Sequence, residues 1–126
     1  MTTRQLALDT QPRRLQRKRT KGWRAPADAK YVGRGTPWGN PYAIKQCGPT
    51  HAVIDTRTNG VIFGSKDQTE AHRVAVTWYR AWLTSQPDLH AAARQQLAGR
   101  DLLCWCPPEL SCHADVLLEL ANHPAA

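Results

Sequence analysis

No stretch of the 126 residues approaches the roughly 18 to 20 consecutive apolar side chains that cross a bilayer, which argues against a membrane-spanning segment. The opening MTTRQLALDTQPRR lacks the apolar core of a secretory signal. Low-complexity tracts are missing, and 41% hydrophobic against 21% charged residues is a globular balance. The length suits one domain with a core of its own. A soluble, cytoplasmic protein is therefore expected. In that compartment the four cysteines read as thiols or ligands rather than as disulfides. Two further absences matter: there is no C-x2–4-C zinc knuckle, and no acidic catalyst stands out.

Acidic residues are scarce where basic ones gather. Residues 1–34 hold ten Lys/Arg against Asp9 and Asp28, whereas the remaining 92 residues are close to neutral, within a net +7. Arg13, Arg14, Arg17, Lys18, Arg19, Lys21 and Arg24 form the densest part. A basic segment on a near-neutral body attracts polyanions, nucleic acid above all, because each neutralised phosphate releases counterions. A solvated tail that only aids solubility is the plainer alternative. Trp23 in KGWRAP argues against plain tail.

Little periodicity marks residues 1–12, expected to be mobile. Residues 13–28 then form a basic arm or a short strand. A single α/β or α+β domain follows over 29–122, a short sheet flanked by about three helices, with 123–126 as a tail. AKYV (29–32) is a short strand that runs into the loop GRGTPWGNPY. Within 43–64, AVIDT and GVIF flank Arg57-Thr58-Asn59-Gly60, a hairpin signature. Asp67 and Glu70 match a capping box. Behind them Val74, Trp78 and Trp82, with Ala71 and Ala75 beside them, predict the apolar face of a helix running to about Ser85. Pro87 opens a second helix that Gly99 stops. DLLCWC (101–106) is a buried strand, and Ser111 caps a final helix. Cys47 stands apart and reads as structural.

Chemistry concentrates in two places. In LLCWCPPELSCHADVLLEL, Cys104 and Cys106 leave one face of a strand near its C-terminal end, and Cys112 and His113 follow in the first turn of a helix. Ligands in such folds gather where strand ends meet helix N-termini, which point free N–H groups at anions and favour a thiolate at Cys112. Three readings fit. Cys104, Cys106, Cys112 and His113 offer the four soft ligands of zinc, although adjacent Cys-His seldom both bind one ion. Alternatively, one of the cysteines acts as a nucleophile, with no partnered base assignable from sequence. Third, the cysteines pack as small hydrophobes and His113 binds a ligand or caps the helix.

The second place is Gly33 to Tyr42. Its glycines let backbone approach a phosphate or base, and Arg34 suits a phosphate. Trp38 or Tyr42 suits stacking on a base, and Asn40 suits its polar edge. A rigid Pro/Gly loop with inward aromatics is the alternative.

YVGRGTPWGNPY, the helix EA-x-R-x-A-V-x-x-Y-R-x-W-L and GRDLLCWCPPELSCHADVLLELAN together resemble domain-of-unknown-function family 4326, found in phages and bacteria and marked by Gly-Asn-Pro and Cys-Trp-Cys. RLQRKRTKGWRAP is similar to the lead-in of its members, so the resemblance spans about residues 13–122. It implies a small α/β fold and a phage or prophage origin, but no activity. QCGPTHAVIDTRTNGVIFGSKD departs from the pattern as an added hairpin. The last segment is also similar to a family with a Cys-His-Arg motif. Here Ala114 follows His113, so no role of that arginine carries over.

From these residues the two places are expected to form one pocket. It would take a nucleotide or a nucleic-acid phosphate and base at Arg34, Trp38, Asn40, Tyr42, Cys104, Cys106, Cys112 and His113. Base transfer or N-glycosidic cleavage is the chemistry that such a pocket suits, with Cys112 and His113 as catalytic candidates. Two other expectations stand beside it: a zinc-stabilised DNA- or RNA-binding module without activity, and a phage effector that binds a host protein.

Overall fold

A computed structural model describes residues 11–122. The stretch expected to be mobile lies outside them except for Gln11 and Pro12, and the 123–126 tail lies outside altogether. The described chain is a small α+β unit of three helices and two three-stranded sheets, where a single short sheet was expected.

The first sheet is parallel. Its centre is β6 (Leu102–Cys104), flanked by β1 (Arg14–Gln16) and β2 (Lys30–Tyr31). All three residues of β6 are buried, as a parallel strand covered on both faces requires. The expected strand 101–106 is thus shorter: the chain bends at Trp105 and Cys106, and Pro107 and Pro108 offer no N–H to continue the ladder. The backbone N–H of Arg17 donates to the Cys104 carbonyl (2.7 Å), extending the β1 edge by one bond.

The second sheet is an antiparallel meander of β3 (Tyr42–Cys47), β4 (Thr50–Asp55) and β5 (Gly60–Ser65). The expected hairpin is its β4–β5 half, with Asn59 in the left-handed region (φ 62°). Its first strand escaped the sequence reading because Ala-Ile-Lys-Gln lacks the β-branched run that marked the other two.

Helix α1 (Gln68–Thr84) begins as expected, Asp67 accepting from the Thr69 N–H at 2.9 Å. Glu70 reaches back indirectly, through Ser65 Oγ, which accepts from the Asp67 N–H. The fully buried face is Ala71, Ala75, Tyr79 and Leu83; of the expected stripe, Val74 and Trp82 pack partly buried beside it and Trp78 does not. The alanines take the positions where the helix lies closest to the meander, too close for tryptophan, and Trp78 is left exposed. Ala71 and Ala75 pack with Tyr42 and Val53 of the meander. Tyr79 and Leu83 belong to the main core with Val32, Leu97, Leu102 and Leu117. One helix therefore seals two cores, and a fully buried side chain such as Leu83 contributes about 1.5–3 kcal/mol.

Helix α2 (Pro87–Leu97) starts at its proline and stops before Gly99, whose φ of +75° suits glycine. Helix α3 (His113–Asn122) starts one residue later than expected. Cys112, not Ser111, precedes its first turn: the Asp115 N–H donates to the Cys112 carbonyl (3.0 Å) and the Cys112 N–H to Asp115 Oδ2 (3.3 Å). No helix among the described residues is long and apolar enough to cross a membrane.

Candidate functional site

The loop after β2 folds tightly on itself. Thr36 Oγ donates to the Gly33 carbonyl (2.7 Å), and the Gly39 N–H donates to the Thr36 carbonyl (3.1 Å). A Cβ at Gly39 would stand 3.0 Å from the Gly33 oxygen and 3.3 Å from Arg34 Cα, so only glycine permits this close return of backbone. Asn40 then fastens the loop to its neighbours. Its Oδ1 accepts from the Tyr42 N–H (2.8 Å), and its Nδ2 donates to the Ala75 carbonyl (3.3 Å). The amide expected to read a base is largely spent on holding the loop against α1.

Trp38 corrects the sequence reading outright. It is 3% exposed, packs in the main core and does not line the cavity that the other site residues share; its carbonyl accepts from Tyr79 Oη at 2.7 Å. Burial pushes the Tyr79 phenol up, so the hydroxyl stays protonated and able to donate. Tyr42 is buried between Trp78 and Arg57, whose Nη2 donates to Tyr42 Oη (3.0 Å). Arg34 is exposed and pairs with no other described residue.

At the other wall, β6 ends in Cys104, the bend supplies Cys106 and the start of α3 supplies Cys112. Their three Sγ atoms lie within 4.8 Å of one another, close enough to hold a metal ion. Cys104 and Cys112 Sγ are 3.2 Å apart. None of the three is disulfide-bonded. His113 falls outside that group, correcting the four-ligand expectation. Its Nε2 is 2.8 Å from the Val32 carbonyl and its Nδ1 is 3.5 Å from Cys112 Sγ. Its ring stands edge-on to Tyr79.

Of the three thiols, Cys112 is the one whose ionisation the cluster favours. Hydrogen bonds from Cys104 and then Cys106 hold its thiol well below the usual range, against burial and with help from His113. Cys104 is pushed up to about 11: the bond with Cys106 lowers it, but the bond with Cys112 and burial outweigh that. Cys106 rises through its bonds with Cys104 and Cys112 and through burial. The lowering comes from the two neighbouring thiols and His113, where the sequence pointed to the helix N-terminus.

Arg14 also departs from expectation. Its side chain is 11% exposed and turns inward, Nη2 donating to the Pro108 carbonyl (2.8 Å) while Nε pairs with Asp115 (3.4 Å). It pins the loop that carries the cysteines instead of facing solvent. Arg13, Arg17, Lys18, Arg19, Lys21 and Arg24 remain exposed. Arg17 and Arg19 lie over the Trp105 ring, 5.2 and 4.7 Å from its centroid. Asp101 accepts from the Arg13 N–H (2.8 Å), Glu109 is exposed, and Cys47 ends β3 exposed rather than packed.

Between the two walls lies a cavity of about 440 Å³. Arg34, Asn40 and Tyr42 line it from one side, and Cys104, Cys106, Cys112 and His113 from the other. Sequence reading missed Arg19, Tyr31 and Trp105 at this site, together with Ser111 and, from α1, His72. Trp105 was hidden, because strand alternation sends it to the face opposite Cys104 and Cys106, and the bend after Cys104 is what brings it to the same cavity. His72 was legible as the neighbour of Ala71 and Ala75 on the buried side of α1. Burial lowers its pKa, partly offset by a hydrogen bond with the Ser111 backbone.

A family model described as Domain of unknown function (DUF4326) matches residues 15–123, and the chain belongs to that family. No curated protein matches the chain. No solved structure matches it either.

Proposed function

Starting from membership in a family whose description assigns no activity, we propose that the cavity binds a nucleotide, either free or as a residue of a nucleic-acid strand. The observation that carries this reading is the lining itself. It includes two arginines, two histidines, three aromatic rings and the start of α3, but no carboxylate. Such a wall suits an anion with a planar partner. The volume falls within the roughly 300–1,000 Å³ of small-molecule sites. Arg34 and Arg19 suit the phosphate, while Tyr31 and Trp105 suit the base.

The exposed Arg17, Lys18, Lys21 and Arg24 favour a strand of DNA or RNA as the source of that nucleotide, because Arg17 lies over the cavity-lining Tyr31 and Trp105 rings and the other three follow it closely in sequence. Thermal unfolding with a series of nucleoside monophosphates and short oligonucleotides tests the reading. The midpoint should rise with ligand concentration in the wild-type chain and stay flat in Arg34→Gln.

A second reading concerns the thiol cluster. Three thiolates suit zinc, which prefers soft donors in tetrahedral order, and an ion there would also brace the loop between β6 and α3. Elemental analysis of protein purified without a histidine tag decides it, about one zinc per chain being expected.

A further inference from the structure

We propose that Cys104, Cys106 and Cys112 hold zinc through three thiolates and that its fourth coordination position opens into the cavity, where it takes an oxygen of an anionic ligand. The second half of this rests on the nucleotide-pocket reading above. The first half does not.

The geometry needs little adjustment. Zinc–sulfur bonds of about 2.3 Å in a tetrahedron place the sulfurs roughly 3.8 Å apart. Here all three Sγ atoms lie within 4.8 Å of one another, and those of Cys104 and Cys112 are 3.2 Å apart. Small side-chain rotations would bring them to that spacing. The supporting shell is already built from protein contacts. Cys104 is fixed by the central strand, and Cys112 by its reciprocal bonds with Asp115. The intervening loop is held by Arg14 at the Pro107 and Pro108 carbonyls.

No fourth protein donor joins the three among the described residues. His113 Nε2 faces a carbonyl, which only accepts, so that nitrogen carries the proton and is not free to bind a metal. Its Nδ1 is 3.5 Å from Cys112 Sγ, but the residue falls outside the group of donors in mutual reach. Asp115 is engaged by Arg14 and the Cys112 N–H. A closed structural zinc site uses four protein ligands, whereas three leave a position for water or substrate. All three cysteines line the cavity, so the remaining position faces the space in which a ligand would sit. Zinc with three thiolates carries one net negative charge. Arg14 lies behind it, with a buried Nη1 that has no other partner.

The test uses the full chain without a histidine tag, loaded with cobalt(II) in place of zinc. One equivalent should bind and give thiolate-to-cobalt charge-transfer absorption with the visible bands of a tetrahedral site. Cys106→Ser, at the least buried of the three positions, should weaken cobalt binding by at least about 10- to 100-fold, the loss that even an outer partner causes. Inorganic phosphate should shift the visible bands of the wild-type complex, and His113→Gln should leave metal stoichiometry unchanged. Failure of the wild-type chain to bind cobalt, or equal binding by Cys106→Ser, overturns the metal site. Visible bands that ignore phosphate, or metal lost in His113→Gln, overturn the open position. Calorimetric titration with a nucleoside monophosphate after chelation is a separate readout. Binding there with phosphate-insensitive cobalt bands sinks the open position and keeps the pocket; a phosphate shift with no nucleotide bound does the reverse.

Discussion

His113 Nε2 lies 2.8 Å from the carbonyl oxygen of Val32, which ties the first turn of α3 to the end of β2 beside the cysteine cluster. Both residues are buried, so the carbonyl has no water to replace a lost donor. His113→Phe keeps a ring against Tyr79 but leaves that oxygen unpaired. Urea denaturation should show a loss of about 1–3 kcal/mol, and unchanged stability would mean that the bond contributes nothing.

Tyr79 plays the matching part for the other wall. Its hydroxyl is the buried donor to the Trp38 carbonyl, and the loop carrying Arg34 and Asn40 hangs from that bond. Tyr79→Phe is expected to cost about 1–3 kcal/mol in denaturant unfolding. It should also weaken nucleotide binding, since the loop that Asn40 fastens to α1 loses its second anchor. Full ligand affinity in the variant would show that the loop holds its shape without Tyr79.

Acid should act through His72. Burial depresses its folded pKa below the ordinary 6.5, so the fold favours the neutral ring. The stability this contributes is present above the unfolded value and drains away as pH falls through the folded one. Denaturation midpoints measured from about pH 8 down to about pH 5 should therefore decline less steeply in His72→Gln than in the wild-type chain. Parallel curves would assign the acid sensitivity elsewhere.

Trp105 is 39% exposed at the cavity rim under two guanidinium groups, a surface suited to stacking on a base. Trp105→Ala should weaken oligonucleotide binding roughly 10- to 100-fold without a comparable loss of fold stability. Neutralising Arg17, Lys18 and Lys21 together should instead flatten the dependence of affinity on salt. If salt dependence survives that triple change, the basic segment is not the contact.

Local chemistry made much of this fold readable before any coordinates. Asp67, Pro87 and Gly99 mark helix ends through interactions within a few residues, and each marks the end it was expected to mark. The juxtaposition of the Gly-Asn-Pro loop and the Cys/His corner was also anticipated, because a strand end and a helix start converge there. What stayed hidden depends on distant packing. Nothing local distinguishes the Ala71–Ala75 face from the Val74–Trp78 face until the meander and the other helices press on the helix. Arg14 reads as one more basic residue until β1 places it behind the loop of β6. Trp38 reads as a free ring until Tyr79 claims its carbonyl.

The cavity's role is tested most directly by isothermal titration of the tag-free chain with nucleoside monophosphates, alongside Arg34→Gln. The account predicts saturable binding of at least one of them at about one site per chain, lost in the variant while its denaturation midpoint is unchanged. Absence of binding by every nucleotide, or equal affinity in Arg34→Gln, would contradict it.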